Sequence, residues 1–488
     1  MKAIAENLPV NSHMFKILIG PLLAVPVLLT DFAGLSVTGE RMLAVAVLMA
    51  VWWAVEAFPL AVTSLVPLIL LPAFGITPMP EVAGSYTHPI TFLLFGGFVL
   101  AIAIEKCGLH ERTAYKFLSL LGVNARYLVG GLMLVAGFTS MWITNTSTTL
   151  MLLPVAISMT LMIRENFSHL DAKELDDFDI AVFLGLAQGA TLGGISTIIG
   201  TAPNAYAAGF IESSFGIEIS FAQWMSFGVP LMLVMLPLSW LLLTRVMHPV
   251  DFDITDEMRG LMADRLKALG ALSTSEKRVM FVFLLTVLAW MSRKYVIAAF
   301  GLTGITDTTV AIGAVFLLFL IPAGDRPGTL MSWSDMNKLP WGVLLLFGGG
   351  FALAGGISGS GVSGWIGAQL APIGVAPVFI ILLCVVAVIV FLTEITSNVA
   401  TTTTFLPVVA ALALEIGQPS LQLVIPAALA ASFAFMFPVA TPPNAIVFGS
   451  GKVTIRNMLR AGLGLNLVSI VVLTLFGLYV LPLMLDLG

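Results

Sequence analysis

The sequence predicts an all-α polytopic membrane protein, about 11 transmembrane helices plus two re-entrant hairpins arranged as an inverted repeat, and three observations predict it. Of its 488 residues, 58% are hydrophobic and 10% charged, against about 25% charged in a soluble chain. Several apolar runs approach or exceed the roughly 20 residues that a helix needs to cross the hydrocarbon core, far longer than the alternating strands of an outer-membrane barrel. Finally, four sequence elements recur in the same order. The composition excludes a soluble globular enzyme and a disordered chain. A net charge of −5 leaves no basic footprint for nucleic acid. Cys107 and Cys384, the two cysteines, exclude a disulfide scaffold or a cysteine metal cluster.

From the N-terminus, one lysine followed by Pro, Asn and His precedes the first apolar run, and no small-residue cleavage site follows it, so the run is expected to be a retained helix. Full spans are expected at 15–33, 40–56, 57–75, 89–107, 180–212, 224–247, 278–300, 307–322, 340–362, 420–449 and 460–485. Regions 127–163 and 372–415 differ. Each has two arms of about 15 residues, short for a crossing, around a polar tip: Thr144–Thr149 in one, Thr396–Thr401 in the other. Polar backbone at membrane depth is tolerated only where protein buries it or water reaches it, which makes both regions re-entrant hairpin candidates. The segment Phe252–Leu269 carries mixed charge and is expected to lie at the cytoplasmic surface as a linker between halves.

With the N-terminus inside, this count leaves the C-terminus outside. The cytoplasmic segments then hold 19 of the 22 basic residues, with Arg41, Arg293 and Lys294 on the other face. That asymmetry is what the positive-inside rule requires.

The repeat is specific. Phe95-Gly96-Gly97-Phe98 recurs as Phe347-Gly348-Gly349-Gly350-Phe351; Asn145-Thr146 before Leu153-Pro154 recurs as Asn398-Val399 before Leu406-Pro407; Gly200-Thr201-Ala202-Pro203-Asn204 is echoed by Ala440-Thr441-Pro442-Pro443-Asn444. Five spans separate the hairpins, so the second copy is expected to enter from the opposite face, as in secondary transporters that bind substrate at the repeat interface. Proline removes an amide donor and frees upstream carbonyls. Those carbonyls, with Ser, Thr and Asn oxygens, form a hard donor set for a small cation, while the amide end of each restarted half-helix suits an anion. One tip facing one broken helix, in duplicate, gives two cation sites flanking an anion site.

Other residues carry plainer roles. Threonines 401–404 are expected to bond preceding carbonyls, whereas an amide at a hairpin tip is costly unless engaged, which singles out Asn145 and Asn398. Gly96, Gly97 and Gly348–Gly350 are expected to be close-packing positions, since no P-loop lysine follows. Glu56 and Glu394 sit in apolar stretches, where an acid is a functional candidate; Glu394 adjoins the second tip, and Glu56 suits the cap of a short loop. The five histidines lack paired helical spacing, and no nucleophile elbow or acid pair stands out, so no enzymatic chemistry is expected.

The run Ala431–Val447, with Ser432-Phe433-Ala434-Phe435-Met436-Phe437-Pro438-Val439 leading into Ala440-Thr441-Pro442-Pro443-Asn444, resembles the signature of the divalent anion:sodium symporter family, and the paired tips point the same way over essentially the whole chain. The resemblance implies uptake of C4-dicarboxylates, citrate or sulfate with sodium ions, a plasma-membrane homodimer, and an elevator mechanism in which a transport domain moves against a scaffold. It implies scaffold helices in 1–126 and 278–371, transport elements in 127–247 and 372–488, and a linker at 248–277. By motif, one sodium site would use Ser140, Thr144 and Asn145, closed by backbone around Gly200. The other would use Thr393, Ser397 or Thr396, and Asn398, with the carbonyl of Ala440. The substrate carboxylates would meet Asn145, Thr146, Ser397, Asn398, Thr441 and Pro442. The second tip departs from the family pattern: Val399 stands where a threonine hydroxyl is expected. The expected function is sodium-coupled symport of a dicarboxylate. The alternatives are sodium-independent exchange, citrate or sulfate transport and, from another class, an anion channel lined by the two hairpins.

Overall fold

A computed structural model describes residues 10–118, 124–167, 171–253, 267–302 and 304–485. These form helices and connecting turns; the β pairing among the described residues is two isolated bridges, Asn124 with Asp253 and Pro322 with Thr329. Among the described residues, eight helical segments are long and apolar enough to cross a membrane. Most of the expected linker lies outside the described residues. Its C-terminal end is held by Arg112, whose guanidinium donates to the carbonyls of Leu269 and Gly270 and to Glu276 Oε1 at 2.7 Å.

The first half contains α1 (Val10–Leu29), α2 (Val37–Val55), α3 (Leu60–Thr63), α4 (Val66–Ala73), α5 (Met79–Ser85), α6 (Pro89–Cys107) and α7 (Leu109–Leu118). The expected span 57–75 is therefore two short helices that break at Ser64 and Leu65. Glu56 closes α2 in a left-handed conformation, φ 48°, as the cap of a short loop. A helix–turn–helix follows, α8 (Ala125–Ser140) and α9 (Asn145–Asn166), then a broken pair, α10 (Ala172–Gly194) and α11 (Ala202–Phe215), and then α12 (Phe221–Leu241). The second half repeats the plan: α13 (Thr274–Phe300), α14 (Asp307–Leu320), α15 (Trp341–Gly359), α16 (Val362–Leu370), the hairpin α17 (Val378–Thr393) and α18 (Asn398–Glu415), the broken pair α19 (Ser420–Ala430) and α20 (Pro442–Gly449), and α21 (Ile455–Leu475).

Two expectations about the hairpins are corrected. The turns are Met141–Thr144 and Glu394–Ser397, so most of each hydroxyl-rich stretch is the first turn of the return helix. Thr149 and Thr402 stay helical by donating back to the carbonyls of Asn145 and Asn398, at 2.8 and 2.7 Å, and Thr403 does the same toward Val399. The arms also differ in length: three have 16, 16 and 18 residues, but α9 has 22. Its extra turn ends in Arg164, which bonds Asp179 at 2.9 Å and also pairs with Asp176, so a charged tether extends this arm.

Small residues let the site's helices approach backbone to backbone. On α10, Gly185, Gly189 and Gly193 form one stripe against Val129, Met133 and Gly137 of α8. A Cβ at Gly193 would lie 2.0 Å from the Gly137 carbonyl oxygen. Close helix contact of this kind is a main source of association inside a bilayer. Gly193→Ala should therefore destabilise the protein by about 1–3 kcal/mol through overpacking. Gly84→Ala, at a helical position where a Cβ meets nothing within 4 Å, should be neutral or stabilising by about 0.5–1 kcal/mol. Thermal unfolding in detergent compares the two. The glycine-rich repeats behave as packing positions: Cβ atoms at Gly97, Gly349 and Gly350 would collide with Ile199, Ser64 and Tyr206.

Candidate functional site

Each hairpin turn is stitched to itself and to the break beside it, and the two stitches correspond residue by residue. In the first, Ser140 Oγ donates to Asn145 Oδ1 at 2.6 Å; in the second, Thr393 Oγ1 donates to Asn398 Oδ1 at 2.9 Å. Thr393 Oγ1 also lies 2.7 Å from the Ala431 carbonyl oxygen. In the first break, Asn204 Nδ2 donates to the carbonyls of Gly194 and Thr197, at 3.1 and 2.8 Å. In the second, Asn444 Nδ2 donates to those of Ala434 and Phe437, at 3.3 and 3.0 Å. The local reason is the Thr-x-Pro-Asn element. Thr201 and Thr441 start the half-helices in extended conformation with proline in the first turn, and the asparagine one turn on reaches back over the gap.

The turns meet the breaks differently. Thr197 Oγ1 donates to the Met141 carbonyl at 2.6 Å and accepts from Gly200 N–H. Glu394 takes the corresponding role in the second half. Its carboxylate, 1% exposed, accepts from the N–H groups of Phe435, Met436 and Phe437, and from Asn466 Nδ2 at 2.7 Å. Turn, break and α21 are thereby fastened at one side chain.

Between the turns lies a cavity of about 1020 Å³. Thr144, Asn145, Thr146, Thr396, Ser397 and Asn398 line it, with Gly200, Ala440 and Pro442 of the breaks; Ile143, Ile395, Val399 and Val439 add apolar surface. Three anticipated residues sit behind this lining. Ser140 and Thr393 are fully buried against the asparagines, and Thr441 is buried with its hydroxyl accepting from Asn444 N–H. Thr201 is the residue that sequence reasoning passed over. It lines the cavity, and its Oγ1 has no hydrogen-bond partner. Its position in the repeat, opposite Thr441, was the available signal.

The arrangement offers two clusters of neutral hard oxygens on either side of a space lined by hydroxyls, amides and half-helix N-termini. A hydroxyl that donates to an amide oxygen can rotate its hydrogen away, leaving both oxygens to a small cation. Among the described residues no group of three or more His, Cys, Asp or Glu side chains is placed to hold a metal ion, so a transition-metal centre has no ligand set in them.

A model of the sodium:sulfate symporter transmembrane region matches residues 12–485. The chain belongs to this family. Among curated relatives, the sodium-dependent dicarboxylate transporter SdcS of Staphylococcus saprophyticus is 41% identical over 98% of this chain and 93% of its own. SdcS of Staphylococcus aureus strain USA300 is 38% identical over 97% and 92%. Among solved structures, the Alcanivorax borkumensis YdaH transporter superposes with a TM-score of 0.53 at 14% identity, covering 83% of this chain and 88% of that one. Neisseria gonorrhoeae MtrF gives 0.53 at 11% identity, with 82% and 83% covered. At such identities these two share the fold alone, while family membership spans the elements that build the cavity.

Proposed function

We propose that this chain is a secondary active transporter that carries C4-dicarboxylates such as succinate, malate or fumarate together with sodium ions across the plasma membrane. The observation that carries the reading is the duplicated Ser/Thr–Asn oxygen pair at the two turns, each beside an Asn-braced helix break, facing one cavity. The SdcS relatives are named as sodium-dependent dicarboxylate transporters, which supports both solutes.

In this reading sodium binds at two sites. The first uses Ser140, Thr144 and Asn145 with backbone near Gly200; the second uses Thr393, Asn398, Thr396 or Ser397 and the Ala440 carbonyl. The dianion sits between them against Asn145, Thr146, Thr201, Ser397, Asn398 and the Thr441-Pro442 start of α20. Among the described residues that line the cavity the cationic side chains are Lys16 and Lys338, away from the turns and breaks, so the co-transported cations supply the charge compensation there. Loading both ends neutralises the cargo before the hairpins and broken helices, residues 127–247 and 372–488, move as an elevator against the scaffold elements. A homodimer joined through the scaffold completes the proposal.

The proposed orientation puts the N-terminus in the cytoplasm and the C-terminus outside. The ion pairs support the grouping of segments into two faces, Lys106–Asp335, Arg112–Glu276, Arg126–Asp251, Arg164–Asp179, Lys452–Asp179 and His248–Asp177 on one, Arg293–Glu218 and Arg293–Asp307 on the other, and the excess of basic residues on the first face is the reason to place it inside. In this orientation Lys16, Glu56, Glu105 and Lys338, which line the cavity, belong to the inner face, and the reading is of a cavity that opens inward.

The test is radiolabelled succinate uptake into proteoliposomes under an inward sodium gradient, compared with potassium and with choline. Sodium-dependent, saturable accumulation is expected. Uptake that ignores sodium and requires internal dicarboxylate would replace symport with exchange, and conductance without a saturable step would replace the carrier with a channel.

A further inference from the structure

The cavity contains four charged side chains among the described residues that line it: Lys16, Glu56, Glu105 and Lys338. Lys338 and both glutamates are exposed and Lys16 is half-buried, so they ring the mouth, with Phe98, Ala101, Ile102 and Val343 forming an apolar wall between them and the floor. Their neighbours on the same face are neutralised: Lys106 holds Asp335 and Arg112 holds Glu276. Among the described residues no such carboxylate partner accompanies Lys16 or Lys338. The floor is neutral, built from hydroxyls, amides and backbone. A dianion that has lost its co-transported cations, or has not yet gained them, therefore meets cationic side chains at these two positions and at no other described part of the lining.

We propose that Lys16 and Lys338 form an entry and exit subsite for the carboxylates of the organic dianion, used only on the face to which this cavity opens. The inference rests on the dicarboxylate-transport reading above. A low-dielectric wall below a charged rim focuses the field along the passage and raises the local concentration of the opposite charge. Lysine suits a transient station because its ammonium is a compact, hydrated point charge on a flexible stem, with none of arginine's bidentate hold. Glu56 and Glu105 keep the rim neutral overall, so the anion is attracted without being trapped, and they offer sodium the same service.

The experiment compares wild type with the double variant Lys16→Gln/Lys338→Gln on both faces, using succinate uptake into intact cells and into inside-out membrane vesicles at saturating sodium. The expected result is a KM raised on the order of tenfold in the vesicles alone, with kcat unchanged and uptake into cells unaffected. The difference should shrink as choline chloride is added, because screening shortens the reach of the rim charges to about 8–10 Å near physiological ionic strength. Lys16→Arg/Lys338→Arg should restore KM. An unchanged vesicle KM in an active double variant, or equal shifts on both faces, would overturn the subsite and leave the transport reading standing. Wild-type protein that moves no dicarboxylate in either preparation would overturn the transport reading and this inference with it.

Discussion

Alanine at Asn145 or at Asn398 is expected to abolish sodium-driven accumulation, with succinate transport falling roughly 10–100-fold, the equivalent of about 1.4–3 kcal/mol. The reason is the double duty of each amide. Its oxygen faces the hydroxyl of Ser140 or Thr393, at 2.6 and 2.9 Å, and its residue lines the substrate cavity. In the proposed site alanine therefore removes a cation ligand and a substrate contact together; it also strips the buried Ser140 hydroxyl of its partner, whereas Thr393 keeps the Ala431 carbonyl. Initial rates measured across a range of sodium concentrations check this. Both variants should need more sodium for half-maximal uptake, and the shift should be of similar size because the two turns carry the same bond. A variant with wild-type sodium affinity and a higher succinate KM would assign that asparagine to the anion alone.

Glu394→Ala is expected to be more damaging to the fold than either of those changes. The carboxylate answers three consecutive backbone N–H groups and the Asn466 amide, and removing it strands all four in a buried place. Each stranded donor costs about 1–3 kcal/mol, so the loss should exceed about 3 kcal/mol and appear as a large fall in thermal stability in detergent. Glu394→Gln keeps one acceptor oxygen but turns an NH₂ toward donors, and should fall between. The first half provides an internal comparison. There Thr197 Oγ1 makes two neutral bonds, to the Met141 carbonyl and from the Gly200 N–H, and Thr197→Val should cost about 1–3 kcal/mol, less than the loss of the four bonds at Glu394. Equal losses for Glu394→Ala and Thr197→Val would remove the acid's special status.

Much of this was legible from the residues. The polar tips, the Thr-x-Pro-Asn breaks and their duplication located the hairpins, because polar groups inside long apolar stretches must be engaged by protein, water or cargo. Hydropathy marked the chain as a multi-span membrane protein, and eight helical segments among the described residues are long and apolar enough to cross. Local geometry was less legible. The threonines beside Asn145 and Asn398 look like loop residues, yet their hydroxyls bond back within the helix and extend it to the asparagine itself. Span 57–75 reads as one helix, since it is predominantly apolar and carries no charged residue, yet the chain turns at Ser64, whose hydroxyl and amide both donate to the Leu60 carbonyl.

The sequence by itself determined that this is a helical membrane protein, and it pointed to polar tips and proline breaks that recur in two halves as the place to look for its chemistry. Those properties follow from the bilayer, which penalises every unsatisfied polar group and so marks each exception in the text of the chain. Only the tertiary structure decided which members of each motif reach the cavity. Thr201 lines the cavity and keeps a buried hydroxyl without a partner, while its counterpart Thr441 is buried as a helix cap; Ser140 and Thr393 stand behind the asparagines; Glu394 holds a break rather than facing the cavity. Spacing cannot settle such choices, because a side chain's direction depends on the twist of the unwound segment and on what packs behind it, and the two halves pack against different neighbours.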